Sequence, residues 1–279
     1  MSWTPVNADH AIERVLFTTL FSDQLPTKVM SQLGVELGAK ASSVGINEMV
    51  QLSPPPFPIH FDGAVQQQPQ MPNFGQVYRK TSNGIVLEEI NCTAMSLSFS
   101  ATLYVHWKDF LERVEECLAE AINRVAEVTD IVDVRLEYWD KFNLPHGNTA
   151  ADVKSLVNPA SRLIPGYFKE QKGSWHTHFG FFTPDHNSNS RRVLVNGNVD
   201  VAANVDGFPS MFEPDIYAQA RVHTLAATQH TVPNQSFDSW DVIKSVANHE
   251  HDLLKSVMAD CIHSDLVKAI NLNANPFEL

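Results

Sequence analysis

Residues 95–128 read MSLSFSATLYVHWKDFLERVEECLAEAINRVAEV, and two periods within them decide the fold class. Met95, Leu97, Phe99, Ala101, Leu103 and Val105 alternate with Ser96, Ser98, Ser100 and Thr102. A two-residue period gives a strand one apolar and one polar face. From Trp107 the period lengthens. Trp107, Phe110, Leu111, Val114, Leu118, Ala121, Ile122 and Val125 share one side of a helix over residues 107–128, with Glu112, Arg113, Glu115, Glu116, Glu120 and Arg124 opposite. A strand running into an amphipathic helix implies a sheet with helices packed on its apolar face.

Working outward, residues 11–21 (AIERVLFTTLF) read as a buried strand. Ser22 and Asp23 are positioned to cap a helix over residues 24–37, with Pro26 near its first turn. Residues 39–72 hold the runs Ser53-Pro-Pro-Pro-Phe-Pro and Gln66-Gln-Gln-Pro-Gln-Met-Pro and read as a long loop or partly extended insertion. Residues 74–80 and 85–91 flank Asn83-Gly84, a hairpin signal because both residues tolerate positive φ.

The same order of elements recurs further on. Residues 131–142 alternate as a strand, and residues 152–157 and 161–168 fit short helical pieces. Trp175, Thr177, Phe179 and Phe181 share one strand face, with His176 and His178 on the other. Val193, Val195, Val199 and Val201 mark an extended segment, either one strand or a tight hairpin at Asn196-Gly197. Residues 216–230 alternate again, and a long helix capped by Asp238 or Ser239 closes the set. The expected fold is therefore α+β: a curved antiparallel sheet backed by two long helices. Two related strand-helix-strands-helix halves, residues 1–129 with the proline-rich insert at 39–72 and residues 130–279, form one compact unit.

With 279 residues, 43% of them hydrophobic, the chain can bury a substantial core. Its formal charge of -12 disfavours a broad nucleic-acid surface, and Arg191-Arg192 reads as a solvated strand entry. Cys92, Cys117 and Cys261 show no CxxC or finger spacing, which fits reduced thiols in a cytoplasmic protein. No window has the length and apolarity of a membrane span, and the N-terminus lacks the pattern of a secretion signal.

Several of these stretches resemble a sporadically distributed bacterial protein family of unknown function. They are the opening AIERVLFTTLF, the run from Gly84 through Tyr104, the helix after Trp107, Val134-Arg-Leu-Glu-Tyr-Trp-Asp-Lys-Phe-Asn-Leu-Pro145, and a last helix with His249, Leu253-Leu254 and Ile262-His-Ser-Asp-Leu266. The resemblance spans most of the chain in order, apart from the proline-rich insert. It implies a bacterial or phage-borne cytoplasmic protein and supplies no catalytic residues.

For chemistry, His176-Thr-His178 stands out, because strand positions i and i+2 point the same way and both imidazoles could hold one metal. His223 would be the third ligand. A cupin needs a glutamate a few residues on, and here Gly180, Phe181 and Phe182 follow. His249 and His251 have the wrong spacing for a zincin. The polar positions of the second-half strands gather Arg135, Glu137, Trp139, His176, His178, Tyr217, Arg221 and His223, a composition that suits a ligand groove or a protein contact. The expected function is a non-enzymatic binding or protein-interaction module using that polar face. Its partner would be a protein or a small molecule, with no cofactor and with an oligomer compatible. The alternative is a metal-assisted hydrolase or related enzyme built on His176, His178 and His223.

Overall fold

A computed structural model describes residues 3–52, 75–185, 188–204, 212–232 and 235–277. The chain runs through β1 (Thr4–Pro5), β2 (Ile12–Phe21), α1 (Thr27–Ser43), β3 (Glu48–Leu52), β4 (Gly75–Ser82), β5 (Ile85–Thr93), β6 (Ser96–Ala101) and α2 (Trp107–Ala126). It continues with β7 (Ile131–Pro145), the short α3 (Ala150–Val153) and α4 (Gly166–Lys169), β8 (Trp175–Asp185), β9 (Ser188–Ala203), β10 (Ile216–His230), α5 (Trp240–Cys261) and α6 (Ser264–Ala269).

All ten strands join one antiparallel sheet in the order β3-β4-β5-β6-β2-β7-β10-β9-β8, with β1 beside β7. The sheet is open, with β3 and β8 as its edges. β2 and β7 meet at the centre. Outward from β2 lie β6, β5 and β4; outward from β7 lie β10, β9 and β8. Each half thus starts at the centre, jumps to an outer strand and returns, so the order of connections is the same on both sides.

The α+β class and the antiparallel sheet agree with the sequence reading, but the backing layer differs. Three long helices cover the inner face, α1, α2 and α5, not two. α1 is longer than expected because Gly38, Ala39 and Lys40 continue its turn to Ser43, and β3 follows at once. Much of the expected loop at 39–52 is therefore regular structure, and residues 53–74 lie outside the described residues. The apolar stripe of α2 is buried as its period requires: Phe110, Leu111, Val114, Cys117, Leu118, Ala121, Ile122 and Val125. All three cysteines are buried and free. Burial pushes the Cys92 and Cys117 thiols up to about 12, which makes them inert as nucleophiles.

Other differences are local. Asn83 and Gly84 turn the β4–β5 hairpin with φ of 50° and 79°. Neither expected cap operates through its side chain. Pro26 occupies the N-cap of α1, while Ser22 and Asp23 bond each other; Ser239 occupies that of α5, where Asn123 of α2 accepts from Trp240 N–H at 2.9 Å. The β6 alternation stops at Ala101. The chain leaves the sheet there, parity inverts, and Tyr104 turns inward while Leu103 and Val105 are exposed. Asn196-Gly197 lies inside one continuous β9, and Phe179 of β8 occupies the space over Gly197. Arg191 is not solvated: it pairs with the buried Asp185 at 2.7 Å, whereas Arg192 is exposed over Phe182. Among the described residues, no helix is long and apolar enough to cross a membrane.

Candidate functional site

Antiparallel register lines up the outer-face residues in rows across the sheet. One row crosses five strands as Arg14, Trp139, His223, Asn198 and His178. Arg14 lies over the Trp139 ring at 5.4 Å, and Trp139 stacks on His223 with centroids 4.6 Å apart. The amide of Asn198 fixes the tautomers on either side. Its Oδ1 can only accept, so His178 donates from Nδ1 at 2.8 Å. Its Nδ2 can only donate, so His223 Nδ1 accepts at 3.4 Å and Nε2 donates to Glu137 Oε2 at 2.9 Å.

The next row carries Lys141, Arg221, Asp200 and His176, with His176 Nδ1 donating to Asp200 Oδ1 at 2.5 Å. Arg221 and Lys141 both reach Glu13 at 3.5 Å. Arg135 is held by Asp133, 2.7 Å from Nε. Tyr217 does not join this face as expected, because β10 is irregular between Ile216 and Ala218 and the Tyr217 ring packs against the core. The sheet therefore brings together seven of the eight expected residues; six are hydrogen-bonded or ion-paired to a neighbour, and Trp139 is stacked between Arg14 and His223. His223 has both ring nitrogens engaged, and His176 and His178 face different partners. No three His, Cys, Asp or Glu side chains among the described residues are grouped to hold a metal.

The inner face carries a site absent from the sequence reading. A cavity of about 620 Å³ opens between the sheet and the helix layer. Five segments build it: Asn7–Ile12, the Tyr104–Trp107 connection, Tyr138 and Asp140 of β7 with Thr224 of β10, His251 to Met258 of α5, and Ile270–Leu272. Exposed Asn7, Asp9, Val105, His106 and Asn271 form its mouth.

Asp140 is the unusual member. Counting by twos along β7 gives Val134, Leu136, Tyr138, Asp140, Phe142 and Leu144 on the inner face, so a carboxyl interrupts an apolar set. It is 5% exposed and makes no hydrogen bond or ion pair with any described residue. The register of β2 shifts between Ile12 and Arg14, directly beside it. Burial alone pushes its pKa up to about 8, so Asp140 is a neutral acid at pH 7.

Next to it runs a chain of neutral groups. Tyr104 and Tyr138 share a hydrogen bond, and the Tyr138 hydroxyl lies 2.9 Å from His251 Nδ1. Burial raises both phenols and, with help from Lys255, pushes His251 down to about 3. All three are therefore uncharged, and the two hydroxyls and Nδ1 form one chain of hydrogen bonds. Trp107 stacks on His251 at 4.4 Å and anchors its indole N–H on Asn248 Oδ1 at 2.8 Å. Lys255 makes no ion pair with a described residue. No protein-family model matches the chain, and a search of curated proteins finds no significant relative.

Proposed function

We propose that this protein is a binding module and that the inner cavity, rather than the polar sheet face, takes the ligand. The observation that carries this reading is Asp140. A buried carboxyl with no partner among the described residues is costly in its charged form and is left to water or a ligand in the cavity for its hydrogen bonds. Such a group in a roomy, mainly apolar cavity with few convergent polar atoms has the composition of a small-molecule site. The same reading takes in the resemblance to a bacterial family, a cytoplasmic location and an origin of the two halves by duplication, supported by their common order of connections.

The neutral apolar dye N-phenyl-1-naphthylamine tests the cavity without assuming the ligand. It should bind the wild type one to one with enhanced fluorescence. Val105→Trp, a change at an exposed position on the mouth, should abolish that signal while leaving the circular dichroism unchanged. Equal uptake by both proteins, or none by the wild type, would sink the reading.

The polar sheet face supports a second role, contact with a protein partner. It presents Arg14 stacked on Trp139, residue types that anchor interfaces, already fixed by their neighbours. Sedimentation tests the version in which the partner is a second copy. Self-association lost in Trp139→Glu supports it, and identical sedimentation of the two proteins excludes it.

A further inference from the structure

We propose that the cavity recognises an organic ammonium ion with an apolar body, its charge paired with Asp140 and its body held by Tyr104, Trp107, Leu254 and Met258. The proposal rests on the cavity being a ligand site and adds the chemical class. Three features of the lining select the cation. First, Asp140 lacks a partner among the described residues and lies at the inner end of the cavity, on the sheet. Second, the lining carries the π systems Tyr104, Tyr138 and Trp107, a class of ring whose faces attract cations, with one Trp107 face taken by His251. Third, once binding has removed the Asp140 proton, the lining sets two carboxyls, Asp9 and Asp140, against one cation, Lys255, and the whole chain is at -12. A carboxylate ligand could pair with Lys255, the cation of the lining, but would meet Asp9 at the mouth and gain nothing from Asp140.

Binding carries a proton signature. The titratable groups facing the cavity are Asp9 and His10 from the β1–β2 connection, Tyr104 and His106 ahead of α2, Tyr138 and Asp140 on β7, and His251 and Lys255 on α5. Burial holds Tyr104 and Tyr138 protonated and pushes His10 and His251 down. Asp140 starts with its proton near neutral pH and must lose it to pair with an ammonium group. Complex formation at pH 7 then releases about one proton per site to buffer, and affinity rises with pH towards 8.

Three probes of matched shape decide the matter by isothermal titration calorimetry on the full chain: 4-phenylbutylammonium, 4-phenylbutanol and 4-phenylbutyrate. The ammonium should bind most tightly, and its apparent heat should vary with buffer ionisation heat as proton release requires. Asp140→Asn, nearly isosteric, should weaken the ammonium about thirtyfold or more and the alcohol little. The wild-type ranking stands as a test even if that variant folds poorly. Butyrate binding as well as the ammonium, or ammonium affinity unchanged in Asp140→Asn, would overturn the ligand class. If those results appear while the naphthylamine dye still binds and is blocked by Val105→Trp, the cavity remains a ligand site for another chemistry. If the dye and all three probes fail, both readings fall together.

Discussion

Between pH 6.5 and 8 the wild type should lose about 2 kcal/mol of stability through Asp140 alone, and Asp140→Asn should remove that loss. The sign follows from proton counts. Unfolded, Asp140 titrates as an ordinary aspartate and is ionised throughout this window. Folded, it keeps its proton until about 8, so the folded state binds more protons and stability falls as pH rises. Above about 8 both states are ionised and the slope vanishes. His251 works in the opposite sense. Its folded pKa of about 3 lies below the unfolded value, so its contribution grows from about pH 3 and levels off above 6.5. His10 and His230 are lowered by burial too and share the upper limit of that window. The last part of that rise, at most about 0.4 kcal/mol for each of the three, falls above 6.5 and partly offsets the loss from Asp140.

Glu250 adds to the same slope. It is fully buried on α5 and accepts from Thr228 N–H and Oγ–H at 2.9 and 2.7 Å through Oε1, while burial raises it well above the usual carboxylate range. Urea midpoints at pH 6.5 and 8 should show a reduced fall in Asp140→Asn and almost none in a double variant that also carries Glu250→Gln. A wild type with equal stability at both pH values would contradict the assignment of neutral buried acids.

Asp260→Ala should cost about 3–4 kcal/mol, as much as truncating a large core side chain. Asp260 sits near the end of α5 and is 2% exposed. It accepts from Ser161 Oγ at 2.5 Å and from Arg162 and Leu163 N–H at 3.1 and 3.2 Å. Ser161 Oγ and Leu163 N–H are buried, so removing the carboxylate leaves the hydroxyl without its acceptor and the amide with only Ser161 Oγ at 3.2 Å. The segment they hold delivers Leu163 and Ile164 to the core, and Asp260 follows two residues after Met258 of the cavity wall. Asp260→Asn keeps one acceptor oxygen and should lose less. A urea midpoint for Asp260→Ala within about 0.5 kcal/mol of wild type would mean that this network is not formed.

The fold was largely legible because one face of each strand and one stripe of each helix had to be apolar. The alternation through Leu97 and Phe99 and the helical stripe from Phe110 to Val125 both lie where their periods put them. Failures came where parity changes without a sequence signal, as at Thr102, where Tyr104 replaces Leu103 on the inside. α1 was read short because Gly38 and the small residues after it weaken a helical pattern that tertiary packing nevertheless completes.

The polar face was legible as a set but not as a network. Periodicity places Trp139, His178 and His223 outward; only antiparallel register puts them in one row with Asn198 between two imidazoles. The cavity had one readable clue, Asp140 on the inward count from Val134 through Tyr138. The rest required distant segments to meet: Tyr138 and His251 are bonded across 113 positions of sequence.

The most direct test is a carbon-13 NMR titration of the Asp140 side-chain carboxyl, alone and with saturating 4-phenylbutylammonium. A midpoint near 8 in the free protein, with conversion to the carboxylate at pH 7 when the ammonium is added, is the predicted result. A midpoint in the ordinary aspartate range that the ammonium leaves unchanged would contradict the unpartnered carboxyl and the ligand site built on it.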